Sequence, residues 1–269
     1  MASVGDFHGK WALVTGASAG IGAALARELA GQGARLILTA RRRERLEALA
    51  AEVAAKGIET RIVVADLNDP DAPQQIYDAT EGAGIAVDIL INNAGLGQHG
   101  AFHLNRAEQE TWQVRVNCEA VVRLSRLFVP RMIERRRGWV LIVSSMASFQ
   151  PMPYNTTYAA TKAFDRFFSL GLAAEVERFG VKVTALCPGP VETEFFTVAG
   201  SAGFSRRLGS QTAEEVARKG LAALASGRRT IIPSLKGVFV SSLVRFLPMP
   251  TILAILEKGL RPRGISESS

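Results

Sequence analysis

Four positions separate Tyr158 from Lys162 in the segment YAATK. On a helix that interval puts both side chains on one face, roughly 5–6 Å apart at Cβ. A free phenol titrates near pH ~10 and is a poor proton donor or acceptor in neutral water. A nearby ammonium favours the phenolate and lowers that pKa, which is one way to make a tyrosine catalytic. Tyrosine and lysine also meet at this spacing on ordinary helices, so the pair must be weighed with its surroundings. Ser145, which closes the run GWVLIVSS thirteen residues before the tyrosine, and Asn117, which falls inside a long helical stretch, are further polar groups of the right kind. Each has a plain alternative: a polar strand end for Ser144 and Ser145, and a satisfied helix break for Asn117.

A second constellation is TGASAGIG, Thr15–Gly22, with Gly16, Gly20 and Gly22 in a G-x-x-x-G-x-G pattern. It lies between an apolar run and a helix-like segment, the context that dinucleotide binding requires. Glycine there permits a tight bend and brings backbone near a pyrophosphate that faces the positive helix end. Close packing of strand on helix would also account for it. No Lys-Ser/Thr follows, which excludes a nucleoside-triphosphate P-loop. The end of the next strand reads LTARRRE, with Ala40 where an acid commonly holds the adenosine ribose hydroxyls and Arg41 after it. An arginine pairs with a 2′-phosphate that an acid would repel, so the expected cofactor is NADP(H), with NAD(H) possible. Alternatively Arg41–Arg43 simply begin a solvated helix.

The elements that position these residues follow from periodicity. Apolar runs at 11–14, 35–40, 59–66, 87–95, 138–145, 181–189 and 228–233 read as strands. Between them RRERLEALAAEVAAKG, residues 71–84, 107–136, 157–179 and 211–225 read as helices, the third broken into two near Val116–Asn117. Nearly continuous apolar strands alternating with amphipathic helices imply an α/β fold, a parallel sheet covered on both faces. One domain is expected over residues 1–234, followed by a C-terminal arm at 235–269 of one or two helices.

Composition narrows the partners. The 269 residues are 48% hydrophobic, which argues against disorder. Two cysteines, Cys118 and Cys187, cannot make a disulfide scaffold, and three histidines have no zinc spacing, so no metal is expected. No secretory signal is visible, and the apolar stretch 246–256 is too short to span a bilayer, so a cytoplasmic location is expected. The net charge of +7 is uneven: between Arg228 and Ile265 seven basic residues face one acid, Glu257. That segment could meet anionic lipid, nucleic acid or a phosphate-bearing carrier, or be a soluble basic edge. Nucleic acid is set aside because no recognition-helix or aromatic RNA-binding signature accompanies the charge.

In order along the chain, TGASAGIG, Asp66 after the third strand, NNAG at 92–95, Asn117, Ser145, YAATK at 158–162 and PGPVET at 188–193 resemble the short-chain dehydrogenase/reductase family, over about residues 8–232. The wording YAATKAF and VTALCPGPVETEFF is similar to a bacterial branch of broadly annotated short-chain reductases. The resemblance implies a Rossmann-type, doubly wound fold with a seven-stranded parallel sheet. It implies a catalytic set of Asn117, Ser145, Tyr158 and Lys162, and a pyrophosphate turn of Gly16, Gly20 and Gly22. Asp66 is expected at adenine, Asn93 in the turn supporting the pocket, Pro188 and Gly189 beside nicotinamide, and Thr193 at its amide or a phosphate. Ser18, Ile21, Arg41, Arg42, Leu67, Ala94, Gly95 and Val191, with Tyr158 and Lys162 themselves, complete the expected cofactor contacts. Ser18 and Ala19 stand where some members carry a basic residue, which leaves Arg41, helped by Arg42, as the phosphate reader.

The expected activity is NAD(P)-dependent reduction of a lipophilic ketone or oxoacyl group to a secondary alcohol, or the reverse. The alternative is a dinucleotide-binding regulatory or scaffold protein with weak catalysis. Tyr158 is expected to donate the proton, Ser145 to bond the same oxygen, Lys162 to make tyrosine ionisation accessible, and Asn117 to anchor a water leading to solvent. Substrate contacts are expected from residues 95–103, from MASFQPMPYNTT after Ser145, and from a candidate lid at 194–210. Phe149, Met152, Phe195, Phe196 and Phe204 would form an apolar mouth. The arm is expected to pack on the domain or at a subunit interface, with peripheral membrane contact through 235–264 as the lesser alternative. The resemblance further implies a homodimer or homotetramer built through long central helices.

Overall fold

The computed structural model describes residues 7–195, 199, 211–244 and 246–262. Strands run over Trp11–Thr15 (β1), Arg35–Ala40 (β2), Thr60–Val64 (β3), Val87–Asn92 (β4), Gly138–Val143 (β5), Val181–Leu186 (β6) and Thr230–Ile231 (β7). They form one parallel sheet in the order β3-β2-β1-β4-β5-β6-β7. Every residue of β1, β4 and β5 is buried. A strand with no solvated face needs cover on both sides.

The helices supply that cover. They are Gly20–Gly31 (α1), Arg43–Ala54 (α2), Ala72–Asp78 (α3), Ala107–Val114 (α4), Ala120–Glu134 (α5), Thr156–Val176 (α6), Ala213–Ala225 (α7), Leu235–Val244 (α8) and Met249–Leu260 (α9). Because side chains alternate along a strand, Ala12 and Val14 join Leu25, Leu46 and Val216 in one core, while Leu13 joins Ile76, Phe128 and Val176 in the other. The strand order reverses between β1 and β4, and ligands of such folds bind outside the carboxyl ends at that point. This is the Rossmann-type architecture expected from the sequence.

Two elements differ from the sequence reading, and the arm agrees with it. The stretch 107–136 is not broken: α4 runs into α5 through a π-helical turn, Arg115–Glu119, so the disturbance at Val116–Asn117 is one widened turn. The last strand shrinks to Thr230–Ile231, because β7 is an edge paired only with β6. The arm forms two helices joined at a proline-containing bend. Phe196, Phe204, Arg245, Arg263 and most of the candidate lid at 194–210 lie outside the described residues.

Candidate active site

A cleft of about 660 Å³ opens at the carboxyl ends of the strands, within the size range of ligand sites. Its walls include Gly16, Ser18, Gly20, Ile21, Gly22, Arg41, Arg42, Asp66, Leu67, Asn93, Ala94, Gly95, Ser145, Tyr158, Lys162, Pro188, Gly189, Val191 and Thr193. All the expected site residues therefore border one space except Asn117.

The glycine turn is built by crowding. Asn93 donates through Nδ2 to the Thr15 carbonyl at 2.8 Å, and the Thr15 hydroxyl accepts from the backbone of Asn93 and Ala94. These bonds clip the ends of β1 and β4 together. A side chain at Gly22 would collide with the Gly16 carbonyl and the Asn93 amide. Gly16 adopts φ +65°, where L-residues are strained, and a Cβ there would fall 2.8 Å from Asn93 Nδ2. The helix that follows, α1, has Ala19 at its N-cap, with no side-chain cap and no acid in its first turn. Its leading N–H groups are thus left for a ligand, and the residues fit a pyrophosphate.

At the adenosine end the two arginines differ. Arg42 donates to the Ser18 hydroxyl through Nε and Nη2 at 3.3 and 3.2 Å, and pairs with Glu194 at 2.9 Å. Arg45 pairs with the same carboxylate at 2.6 Å, and the two arginines hold Glu194 below the usual carboxylate range. Arg41 is more exposed and approaches Asp66 only at 3.9 Å. Arg42, the expected helper, is the more firmly positioned of the pair.

At the other end α6 carries a half-buried Tyr158 and a buried Lys162, both lining the cleft that Ser145 also borders. Burial pushes Tyr158 above its ordinary value. The Lys162 charge and the nearby Ser145 hydroxyl pull it down but do not prevail, and Asp165 adds to the rise. The lysine acts on the phenol as anticipated, yet desolvation outweighs it. The result is a neutral phenol at physiological pH. Lys162 donates to the Val143 carbonyl at 2.9 Å and to Asp165 at 2.8 Å. Although burial lowers Lys162, the Asp165 carboxylate above all leaves it raised overall, so it stays charged.

Asn117 sits behind this wall, in the π-helical turn. Its Oδ1 accepts from Leu96 N at 2.8 Å, and its Nδ2 donates to Leu96 O and Thr161 Oγ1, both at 2.9 Å. Both amide hydrogens are thereby used, so a water held by Asn117 must donate to the remaining lone pair of Oδ1. A Cβ on Gly95 would lie 3.4 Å from Asn117 Oδ1 and 3.5 Å from Lys162 Nζ, so the two groups face the same glycine.

The outer cleft agrees only partly with the sequence reading. Met152, His99 and Phe195 line it, and the Phe195 ring lies 5.5 Å from that of Tyr158. Phe149 does not; its ring turns under the Arg166 guanidinium at 4.3 Å. The arm contributes Lys236, Val240, Leu256 and Leu260 to the wall. It is tied there by Tyr154, which takes the uncommon φ of +61° and donates from its hydroxyl to Glu257 at 2.8 Å. His99 and Asn155 fall within the segments expected to touch substrate, whereas the sequence reading named neither Val240 nor Leu256. A proline-punctuated apolar arm was the one visible signal for the last two.

Comparison with known proteins follows the same lines. A short chain dehydrogenase family model matches residues 10–202. The chain is 34% identical over 205 residues to the very-long-chain 3-oxoacyl-CoA reductase of Anas platyrhynchos, covering 74% of this chain and 65% of that protein. It thus spans a little under two thirds of that relative. A short-chain dehydrogenase from Sphingobium yanoikuyae in complex with NADPH superposes with a TM-score of 0.80 at 30% identity, covering 97% of this chain and all of that one. A short chain dehydrogenase/reductase from Burkholderia phymatum in complex with NAD gives 0.81 at 25% identity, covering 98% and 99%. Among the described residues no helix is long and apolar enough to cross a membrane.

Proposed function

The chain belongs to the short-chain dehydrogenase family, and we propose that it is an NADPH-preferring oxidoreductase that reduces a lipophilic ketone or oxoacyl group to a secondary alcohol, reversibly. One observation carries the reading. An uncapped helix N-terminus with a glycine turn lies at one end of a single cleft, and Ser145 and Tyr158, with the buried Lys162, line the other.

When bound, the nicotinamide dinucleotide supplies the hydride. The chain's own groups handle the oxygen. Tyr158, neutral at physiological pH, gives its proton to the carbonyl oxygen as negative charge develops there. The Ser145 hydroxyl holds the same oxygen, and the Lys162 charge favours the phenolate that remains. Asn117 acts by holding Leu96 and Thr161, and so the floor of the cleft, in register. In the oxidative direction the phenolate takes the proton from the alcohol.

Preference for NADPH rests on the Arg42–Ser18 pair, with Arg41 beside it and no acid at Ala40. The apolar lining from Met152, Phe195, Val240 and Leu256 supports a lipophilic substrate. We take residues 1–234 as the catalytic unit and the arm as a wall of its substrate end. The exposed Trp112, Val114, Val122, Phe164 and Phe167 on α4 to α6 suit a homo-oligomer formed through those helices. The direct test is a panel of ketones, oxoacyl thioesters and secondary alcohols with NADPH and NADH, followed by the absorbance of reduced nicotinamide. Turnover of lipophilic carbonyls with NADPH supports the reading, and none with any carbonyl or alcohol refutes it.

A further inference from the structure

One carboxylate beneath the reaction centre has no part in the scheme above. Asp165 follows Lys162 by three residues on the buried face of α6, its side chain is 1% exposed, and its Oδ2 accepts from Lys162 Nζ at 2.8 Å. Its other oxygen, Oδ1, is buried without a hydrogen-bond partner. Stability gives no reason to keep such a group. A buried ion pair offsets its desolvation only when the remaining polar atoms are satisfied, and an apolar replacement of similar volume is often as stable.

What the carboxylate faces is informative. On α6 it has Lys162 and Tyr158; from the π-helical turn comes the Cys118 thiol, and near the lysine lies the Cys187 thiol at the end of β6. β5 offers the Val143 carbonyl, which also accepts from Lys162, and the Ser144 hydroxyl, which donates to the Lys162 carbonyl. Burial pushes Cys118 to about 12 and Cys187 to about 11, so both thiols are neutral. Asp165 is therefore the one anion beside the lysine at physiological pH among the described residues.

We propose that Asp165 is the internal counter-ion of Lys162: a positioning residue that anchors the ammonium and offsets its pull on Tyr158, so that the pH at which the phenol ionises is set by a group that never touches substrate. The inference rests on the reading of Tyr158 as the proton-transfer residue. A negative charge here raises the proton affinity of Tyr158, opposing the lysine. Burial also pushes the Asp165 carboxyl up to about 6. When it protonates, the ammonium acts on the phenol unopposed, and Tyr158 becomes a stronger acid below that pH than above it.

The test needs no turnover. The chain has three tyrosines, Tyr77, Tyr154 and Tyr158, so ring-carbon (Cζ) labelling with ¹³C gives three resonances, and Tyr158→Phe identifies the third. In Asp165→Asn the Tyr158 midpoint is expected to fall by about one pH unit. In the unaltered chain its resonance should also show a small step near pH 6, absent from the variant. Asp165→Val, which has no polar atoms to misplace, guards against a fold-specific effect and should shift Tyr158 the same way. An unshifted or raised midpoint in a folded variant overturns the proposal. The two readings fail separately: absence of turnover with any carbonyl strikes the oxidoreductase assignment and leaves the titration intact. An unmoved Tyr158 resonance in an active Asp165→Asn enzyme strikes Asp165 alone.

Discussion

Replacing Asn117 with alanine separates a residue that holds the site from one that works in it. The side chain is fully buried and makes three bonds, two to the backbone of Leu96 and one to Thr161. Thr161 keeps its own donation to the Tyr158 carbonyl at 2.8 Å, so it loses only an incoming bond. The Leu96 N–H and C=O lose their partner altogether. An orphaned buried polar group costs about 1–3 kcal/mol. Leu96 borders the cleft and is half-buried, so water recovers part of the loss, and a total of roughly 2–3 kcal/mol follows. For a chain of this size that is a fall in Tm of roughly 4–5 °C. Thermal unfolding by circular dichroism reads it directly, with Thr161→Val as the comparison that removes the third bond together with the Thr161 donation to the Tyr158 carbonyl but leaves both Leu96 bonds in place. If Asn117→Ala unfolds within a degree of the parent while activity disappears, the clamp argument is wrong and Asn117 acts in the chemistry itself.

Gly22→Ala should weaken cofactor binding at least tenfold, about 1.4 kcal/mol, because the new methyl group displaces the Asn93 amide and the Gly16 carbonyl. Quenching of protein fluorescence by NADPH measures it. Arg42→Ala removes a charged donor worth about 1.5–3 kcal/mol, so the NADPH-to-NADH ratio of kcat/KM should fall roughly ten- to a hundredfold, with the larger part of the loss on NADPH. An unchanged ratio would remove Arg42 from cofactor choice. For pH, Tyr158 sits above its ordinary value, so the proton-donating form persists through neutrality. Reduction should therefore hold its rate to at least pH 9 and oxidation should climb with pH, as kcat profiles in both directions will register.

Much of this site could be read from residue order because its parts are local. Gly16, Gly20 and Gly22 mark a strand-to-helix turn, and the interval from Tyr158 to Lys162 sets a shared helix face, whatever surrounds them. The features that escaped depend on distant elements. Nothing in TKAFDRF distinguishes Asp165 from a solvated acid one turn after a lysine; the packing of α6 on β5 and the π-helical turn buries it. Phe149 is expected at the mouth from sequence, but its ring packs under the guanidinium of Arg166 on α6 instead. Asn117 was read at a helix break, whereas a widened turn keeps the helix continuous and aims the amide at Leu96. Choosing between the neighbours Arg41 and Arg42 required the turn after β2, since a single residue reverses which side chain faces Ser18.

The account stands or falls on whether the Tyr158 hydroxyl transfers the proton. Tyr158→Phe removes that one atom and leaves the glycine turn, the arginines and the apolar wall in place. With the best carbonyl from the panel and saturating NADPH, consumption of reduced nicotinamide should drop by at least a hundredfold, as expected for loss of a general acid. NADPH binding measured on the same sample should stay within a few-fold of the parent. Turnover equal to that of the parent would contradict the account.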